Sequence, residues 1–259
     1  AWAQHPVGSV HQGMLDLGRG SQLMLPDGRW RVAATHTMPR TSPNGLDWEV
    51  LVLEHQEAAS EVPLMVVRHV ALPARSPASA CPAQGDQNAF VFDDYGTTPS
   101  QMLSKCARAY PLSQLSAWRS GPARNSDWWR DVSALLPHNP AYSEASLVMV
   151  SLSVQRFNGR ALRVEAFLRP PGERTANQFR DLARAGQGGQ PLAQLEAWMA
   201  GYVSQMQATF LDQRNTAQAK MALPFGPAPV QPGSTQLAGT APTPPAASVP
   251  TSDAAQAQR

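Results

Sequence analysis

Charge is scarce in this sequence. Only 15% of its 259 residues are Asp, Glu, Lys or Arg, and the formal net charge is +2. Ordinary soluble domains carry about a quarter. The basic residues are scattered and mostly Arg, so no clustered basic face of the kind that binds nucleic acid is present. Long apolar runs are missing too. No stretch reaches the roughly 18 residues a membrane-spanning helix needs, so the chain reads as not transmembrane. Cysteine is limited to Cys81 and Cys106, and two isolated cysteines without a CxxC do not build a four-ligand zinc site. The chain contains no GxSxG, HExxH, GxGxxG or P-loop lysine motif. These absences count against the common hydrolases, metalloproteases and nucleotide binders, though not against a site assembled from distant residues. No cofactor and no metal is implied.

What is present is apolar. Hydrophobic residues make up 42% of the chain, enough for a real core. The chain opens Ala1-Trp2-Ala3-Gln4. Small residues two apart are what a signal peptidase recognises, which predicts an exported chain, periplasmic or secreted, whose signal peptide has been removed. An arbitrary boundary is the alternative. In an exported chain an even cysteine count predicts a disulfide between Cys81 and Cys106. Two buried free thiols are the alternative there.

The pattern along the chain predicts strands first. Residues 21–37 read as a hairpin about Pro26-Asp27-Gly28, where Pro fixes φ and Gly accepts a positive one. Strands follow at 47–55 and 62–70, apolar on both faces and hence covered on both sides or central. Residues 72–88 form a Pro/Ser/Ala loop holding Cys81, and a short strand covers 89–92. Thr98, Pro99 and Gln101 read as a helix start. Met102, Leu103, Cys106 and Ala109 continue at helical spacing, which puts Cys106 on a helix stapled to the preceding loop. A second helix is expected at about 127–136. A long one at 191–212 carries the stripe Leu192, Leu195, Trp198, Met199, Tyr202, Met206 and Phe210.

Residues 146–169 fix a register. Asn158-Gly159 favours a two-residue turn, but that turn would set Val154 beside Arg163 and Leu152 beside Glu165. A three-residue loop, Phe157-Asn158-Gly159, pairs Val154 with Leu162 and Leu152 with Val164. All apolar residues then share one face, and register follows burial. Arg163 and Glu165, with Ser151, Ser153 and Gln155, fall on the opposite face. That face is either solvated or the polar lining of a groove, and one-sided alternation favours the solvated reading.

From about residue 217 the composition changes. Eight prolines lie between Pro224 and Pro250, and after Lys220 the only charges are Asp253 and Arg259. Such a segment cannot offset its ordering entropy. The expected organisation is an N-terminal extension at 1–13, one α+β domain at 14–216, and a disordered Pro/Ala/Thr-rich tail at 217–259. The domain is expected to hold an antiparallel sheet of five to seven strands. One face of that sheet is expected to be covered by the long C-terminal helix and the two shorter ones.

Candidate functional residues are few. His36, His55 and His69 sit at strand ends, but an up-down-up meander sends His55 to the opposite end from the other two. They do not converge on one ion. Asp93-Asp94 lacks the alternating oxygens of a calcium loop. Trp129, beside the core residue Trp128, is a candidate binding aromatic. Arg163 and Glu165 complete the candidate surface. The segment Leu25-Pro26-Asp27-Gly28-Arg29-Trp30, the cysteine pair, the late hairpin and the terminal helix with its central Trp resemble a family of uncharacterised secreted proteobacterial proteins. The resemblance spans about residues 14–213, and only the Leu-Pro-x-Gly-x-Trp hairpin is specific. It implies an envelope location and brings no catalytic residues with it. The expected function is a non-catalytic exported protein that binds an envelope component or a partner protein. The alternative is a periplasmic hydrolase of unrecognised family, whose sign would be a deep pocket with a Ser or Asp in reach of a His.

Overall fold

A computed structural model of the chain describes residues 4–38, 48–57, 59–70, 89–95, 103–113, 115–116, 145–156, 160–214 and 220–226. In chain order the strands are β1 (Val10–His11), β2 (Met14–Gly18), β3 (Ser21–Met24), β4 (Trp30–Met38), β5 (Trp48–His55), β6 (Leu64–Val70), β7 (Val91–Asp94), β8 (Leu103–Leu112), β9 (Leu147–Arg156) and β10 (Ala161–Leu168). Helix α1 (Ala176–Arg184) and helix α2 (Gly189–Met206) follow, and α2 runs into a π-helical turn, Gln207–Leu211. The fold is α+β. Eight strands form one antiparallel sheet in the order β1-β4-β5-β6-β10-β9-β8-β7, and β2 and β3 form a separate ribbon. The sheet is larger than the five to seven strands expected.

The two-sided apolar pattern of β5 and β6 has its structural counterpart. Leu51 to His55 and the whole of β6 are buried, so both faces of the sheet are covered there. On one face Leu51, Leu53, Met65, Val67, Leu152 and Val164 pack under Leu195, Met199, Tyr202 and Met206 of α2. On the other, Val50, Val52, Leu64, Val66, Leu147 and Phe167 form a second apolar cluster. The late hairpin has the register that burial requires. Val154 pairs with Leu162 and Leu152 with Val164, and the Arg156 amide donates to the Arg160 carbonyl at 2.9 Å.

Three expectations are corrected. The segment 21–25 does not pair with 30–37: β3 pairs with β2 instead, and the Pro26-Asp27-Gly28 turn carries the chain from the ribbon into the sheet. The helix expected over 99–109 is replaced across 103–112 by β8. There Leu103, Ala107 and Ala109 join the helix-covered core, and β8 pairs along its length with β9. Ladder pairing on both edges outweighs a helical spacing of four apolar residues. The disulfide staple of a helix to its preceding loop falls with that helix. Cys106 lies on β8 opposite Ser153 and is disulfide-bonded, not free, so the bond holds a strand and not a helix; Cys81 lies outside the described residues. Helix α1 was not foreseen. The expected helix at 127–136 and the Asn158-Gly159 loop tip also lie outside the described residues.

Both ends of the domain are tied in. Val10 and His11 pair with Arg31 and Trp30 as β1. Residues 220–226 dock on the helix-covered side. Met221 bridges Pro26 and accepts from the Asp27 amide at 2.7 Å. The Trp198 indole donates to the Ala222 carbonyl at 2.8 Å, and the Phe225 amide donates to the Glu61 carboxylate at 2.8 Å.

Candidate functional site

A strand covered on both faces has no cheap place for a charge, and β6 carries one: Arg68, within Leu-Met-Val-Val-Arg-His-Val. Its side chain is buried and points to the face away from α2, in the same row as Arg163. The sheet order puts β10 beside β6, so Arg68 and Arg163 stand directly opposite one another. Glu165, two residues along β10 on the same face, forks onto Arg68. One Nη donates to Oε1, and Nε lies 3.4 Å from Oε2. Glu165 is only 2% exposed. The solvated reading of this face is corrected: Ser153, Gln155 and Glu165 are buried and Ser151 and Arg163 half-buried, and enclosed charges need partners.

Trp48, at the start of β5, holds both arginines. The guanidinium carbon of Arg68 lies 5.6 Å from an indole ring centre and that of Arg163 lies 5.2 Å away, within cation–π range. Two cations thus share one ring and one carboxylate. Arg68 takes the carboxylate. Arg163 is partly buried, and its Nε has no hydrogen-bond partner. Burial brings its pKa down to about 10; the charge of Arg68 pushes the same way, and Glu165 partly offsets both. The guanidinium stays charged at neutral pH.

The row continues across the sheet. Ser153 of β9 is opposite Arg163, and Ser151 is opposite Glu165. Arg108 of β8 is opposite Ser151, stacks 4.7 Å from the Phe92 ring and donates to the Tyr110 hydroxyl at 3.1 Å. Sequence reasoning found Arg163, Glu165 and the two serines. It missed Arg68, Trp48 and Arg108. A charge inside an apolar run that reads as buried on both faces was the available signal for Arg68. Trp129, the other proposed binding residue, lies outside the described residues.

The histidines do not converge. His36 is opposite Val50 and His69 opposite Glu49, near one end of the meander, while His55 is opposite Trp30 at the other. Among the described residues no group of three or more His, Cys, Asp or Glu side chains could hold a metal ion. His55 belongs to the Leu25–Trp30 turn. Its Nδ1 accepts from the Glu57 amide at 3.0 Å, so its Nε2 donates to the Asp27 carbonyl at 3.1 Å. Asp93 sits on β7 opposite Ala107, not in a strand-to-helix connection. Burial, then the charges of Asp93 and Glu196, push the Tyr95 phenol upward.

Ser9 and His11 meet. Ser9 Oγ lies 3.0 Å from His11 Nε2, but it donates its single proton to the Pro6 carbonyl at 2.7 Å. It therefore accepts from His11, the reverse of what an activated nucleophile requires. The pair sits at the short strand β1, two residues apart. Comparison with protein-family models, with curated proteins and with solved structures gives no match.

Proposed function

We propose that the chain is an exported, non-catalytic protein, periplasmic or secreted, that binds an envelope component or a partner protein. The contact is the arginine-bearing face of the sheet. The observation that carries the binding reading is Arg163: a charged side chain, stacked on Trp48, with no described carboxylate of its own. Enclosing such a group costs free energy that an external partner can return. The non-catalytic reading is supported by the direction of the Ser9–His11 hydrogen bond and by the absence of a recognised catalytic motif. The envelope location rests on the resemblance carried by Leu25-Pro26-Asp27-Gly28-Arg29-Trp30. No helix among the described residues is long and apolar enough to cross a membrane.

The test uses the tagged full chain, fractionated from its host and then incubated with envelope extract. The chain is expected in the periplasm or medium. It should retain an envelope component that Arg163→Glu retains at least tenfold less well. Equal retention by both proteins would remove the sheet face as the contact. Recovery in the cytoplasm would remove the location.

A further inference from the structure

Among the described residues the charges around Trp48 do not balance. Arg68 and Arg163 face each other across β6 and β10, where like charges opposed on neighbouring strands destabilise a sheet. Glu165 compensates only one of them. Arginine cannot escape by losing its proton at neutral pH. The Trp48 ring attracts the charge but accepts none of its N–H bonds, and an apolar side chain of similar length would fill the same space without the desolvation cost. Beside Arg163 the strand surface drops to two small side chains, Ser153 and Ser151, whose hydroxyls are engaged by no described residue. One cationic fork, an aromatic plane that fixes it and two adjacent hydroxyls make the donor set that planar or tetrahedral oxyanions accept.

We propose that Arg163, with the hydroxyls of Ser151 and Ser153, receives one oxyanion, a carboxylate or a phosphate group. This inference rests on the binding reading above and names the chemistry of what is bound. A neutral carbonyl would satisfy an N–H but leave the charge uncompensated. An anion satisfies both. Arg68 is not part of the receptor. With its carboxylate it forms the wall of the row beside Arg163.

Thermal unfolding of the full chain in sodium chloride, sodium acetate and sodium phosphate, at matched pH and ionic strength, reads the site. Acetate or phosphate should raise Tm above the chloride value by at least about 2 °C, with saturation. The arm with the larger shift identifies the group. Phosphate also stabilises proteins generally by exclusion from their surfaces, so the variants decide. Arg163→Met should lose the saturable shift while matching or exceeding the wild-type Tm in chloride. Arg163→Lys, which keeps the charge but not the fork, should show a smaller shift than wild type. Equal Tm values in the three salts would overturn the proposal, as would a saturable shift that survives Arg163→Met. An Arg163→Met chain that is unfolded in chloride would also overturn it, by making the guanidinium structural. Each of these outcomes leaves the retention of an envelope component, which detects binding of any chemistry, as a separate result.

Discussion

Gly28 lies against the imidazole of His55, so close that a Cβ at position 28 would stand 2.0 Å from Nε2. The backbone there has φ +120, which L side chains rarely adopt. Trp30 stands edge-on to the same imidazole at 4.8 Å and donates its indole N–H to the Pro26 carbonyl at 2.9 Å. Gly28 and Trp30 of the Leu-Pro-x-Gly-x-Trp segment thus each have a packing reason. Gly28→Ala should cost about 3 kcal/mol, from strain plus collision. Gly172→Ala, also at positive φ but with nothing within 4 Å, should cost about 1 kcal/mol. Urea unfolding of the two variants checks the difference.

The face assignment of the late hairpin predicts opposite outcomes for two new carboxylates. Val164→Asp puts a charge under α2, in the core that holds Leu152 and Tyr202, and should cost about 4 kcal/mol. Ser153→Asp puts one opposite Arg163. It should be neutral or stabilising in chloride, because it supplies the missing counter-charge, and it should abolish the response to acetate or phosphate. A destabilised Ser153→Asp chain would show that Arg163 is already compensated.

Breaking the enclosed ion pair should be severe. Glu165→Gln leaves Arg68 and Arg163 facing each other with no described carboxylate between them, and a loss of about 3 kcal/mol is expected. The double variant Arg68→Met/Glu165→Leu should recover most of that loss. Equilibrium unfolding of the three proteins tests it.

Acid should weaken the fold through His69. Burial, with the nearby charge of His5 a lesser cause, brings its pKa down to about 4, against 6.5 in the unfolded chain. Between these values the unfolded chain binds the proton and the fold does not. The contribution is therefore fully present above about pH 6.5 and is lost as pH falls towards 4, to a total of about 3 kcal/mol. His11 shifts in the same direction, by burial and by His5. Unfolding free energies at pH 7 and pH 4.5 should converge in His69→Leu relative to wild type. An unchanged difference would show that His69 is not the group responsible.

Truncation should separate two parts of what composition assigns to the tail. A chain ending at Gly226 keeps every described contact and should melt at the wild-type temperature. A chain ending at Arg214 loses Met221, the Trp198–Ala222 bond and the contact of Phe225 with Phe179, whose ring centres are 6.2 Å apart. Its Tm should fall by several degrees, for a loss of about 2 kcal/mol.

The parts of the fold legible in the sequence were those with unbroken alternation. Val148 to Val154 and Leu162 to Leu168 allow one register that keeps apolar residues together, and the structure has it. Strand β8 was misread because Leu103, Cys106 and Ala109 also fit a helical spacing, and no local feature of Ala107 or Arg108 shows that neighbours on both sides are strands. Helix α1 was readable and overlooked. Thr175 and Gln178 form a full capping box, the same signal that was credited, wrongly for residues 103–109, near Thr98. The candidate site was half legible. Arg163 and Glu165 announce themselves by position, but Arg68 is 97 residues from Glu165. Only the placement of β6 against β10, which skips three intervening strands, brings the two together.

The ribbon of β2 and β3 has a consequence for how the chain folds. Its contacts lie at the far end of the sequence. Ser21 donates to the Phe210 carbonyl at 3.1 Å, the Tyr202 hydroxyl donates to the Met24 carbonyl at 2.8 Å, and Gln213 donates to the Arg19 carbonyl. During synthesis the first hairpin therefore waits for some 190 residues before its packing partner exists. Contacts of such separation slow folding, because loop closure must precede the gain. The nascent chain keeps Leu15, Leu23 and Leu25 uncovered until α2 arrives, so a chaperone that holds residues 14–30 should raise the yield of folded protein more than one that acts on the completed chain.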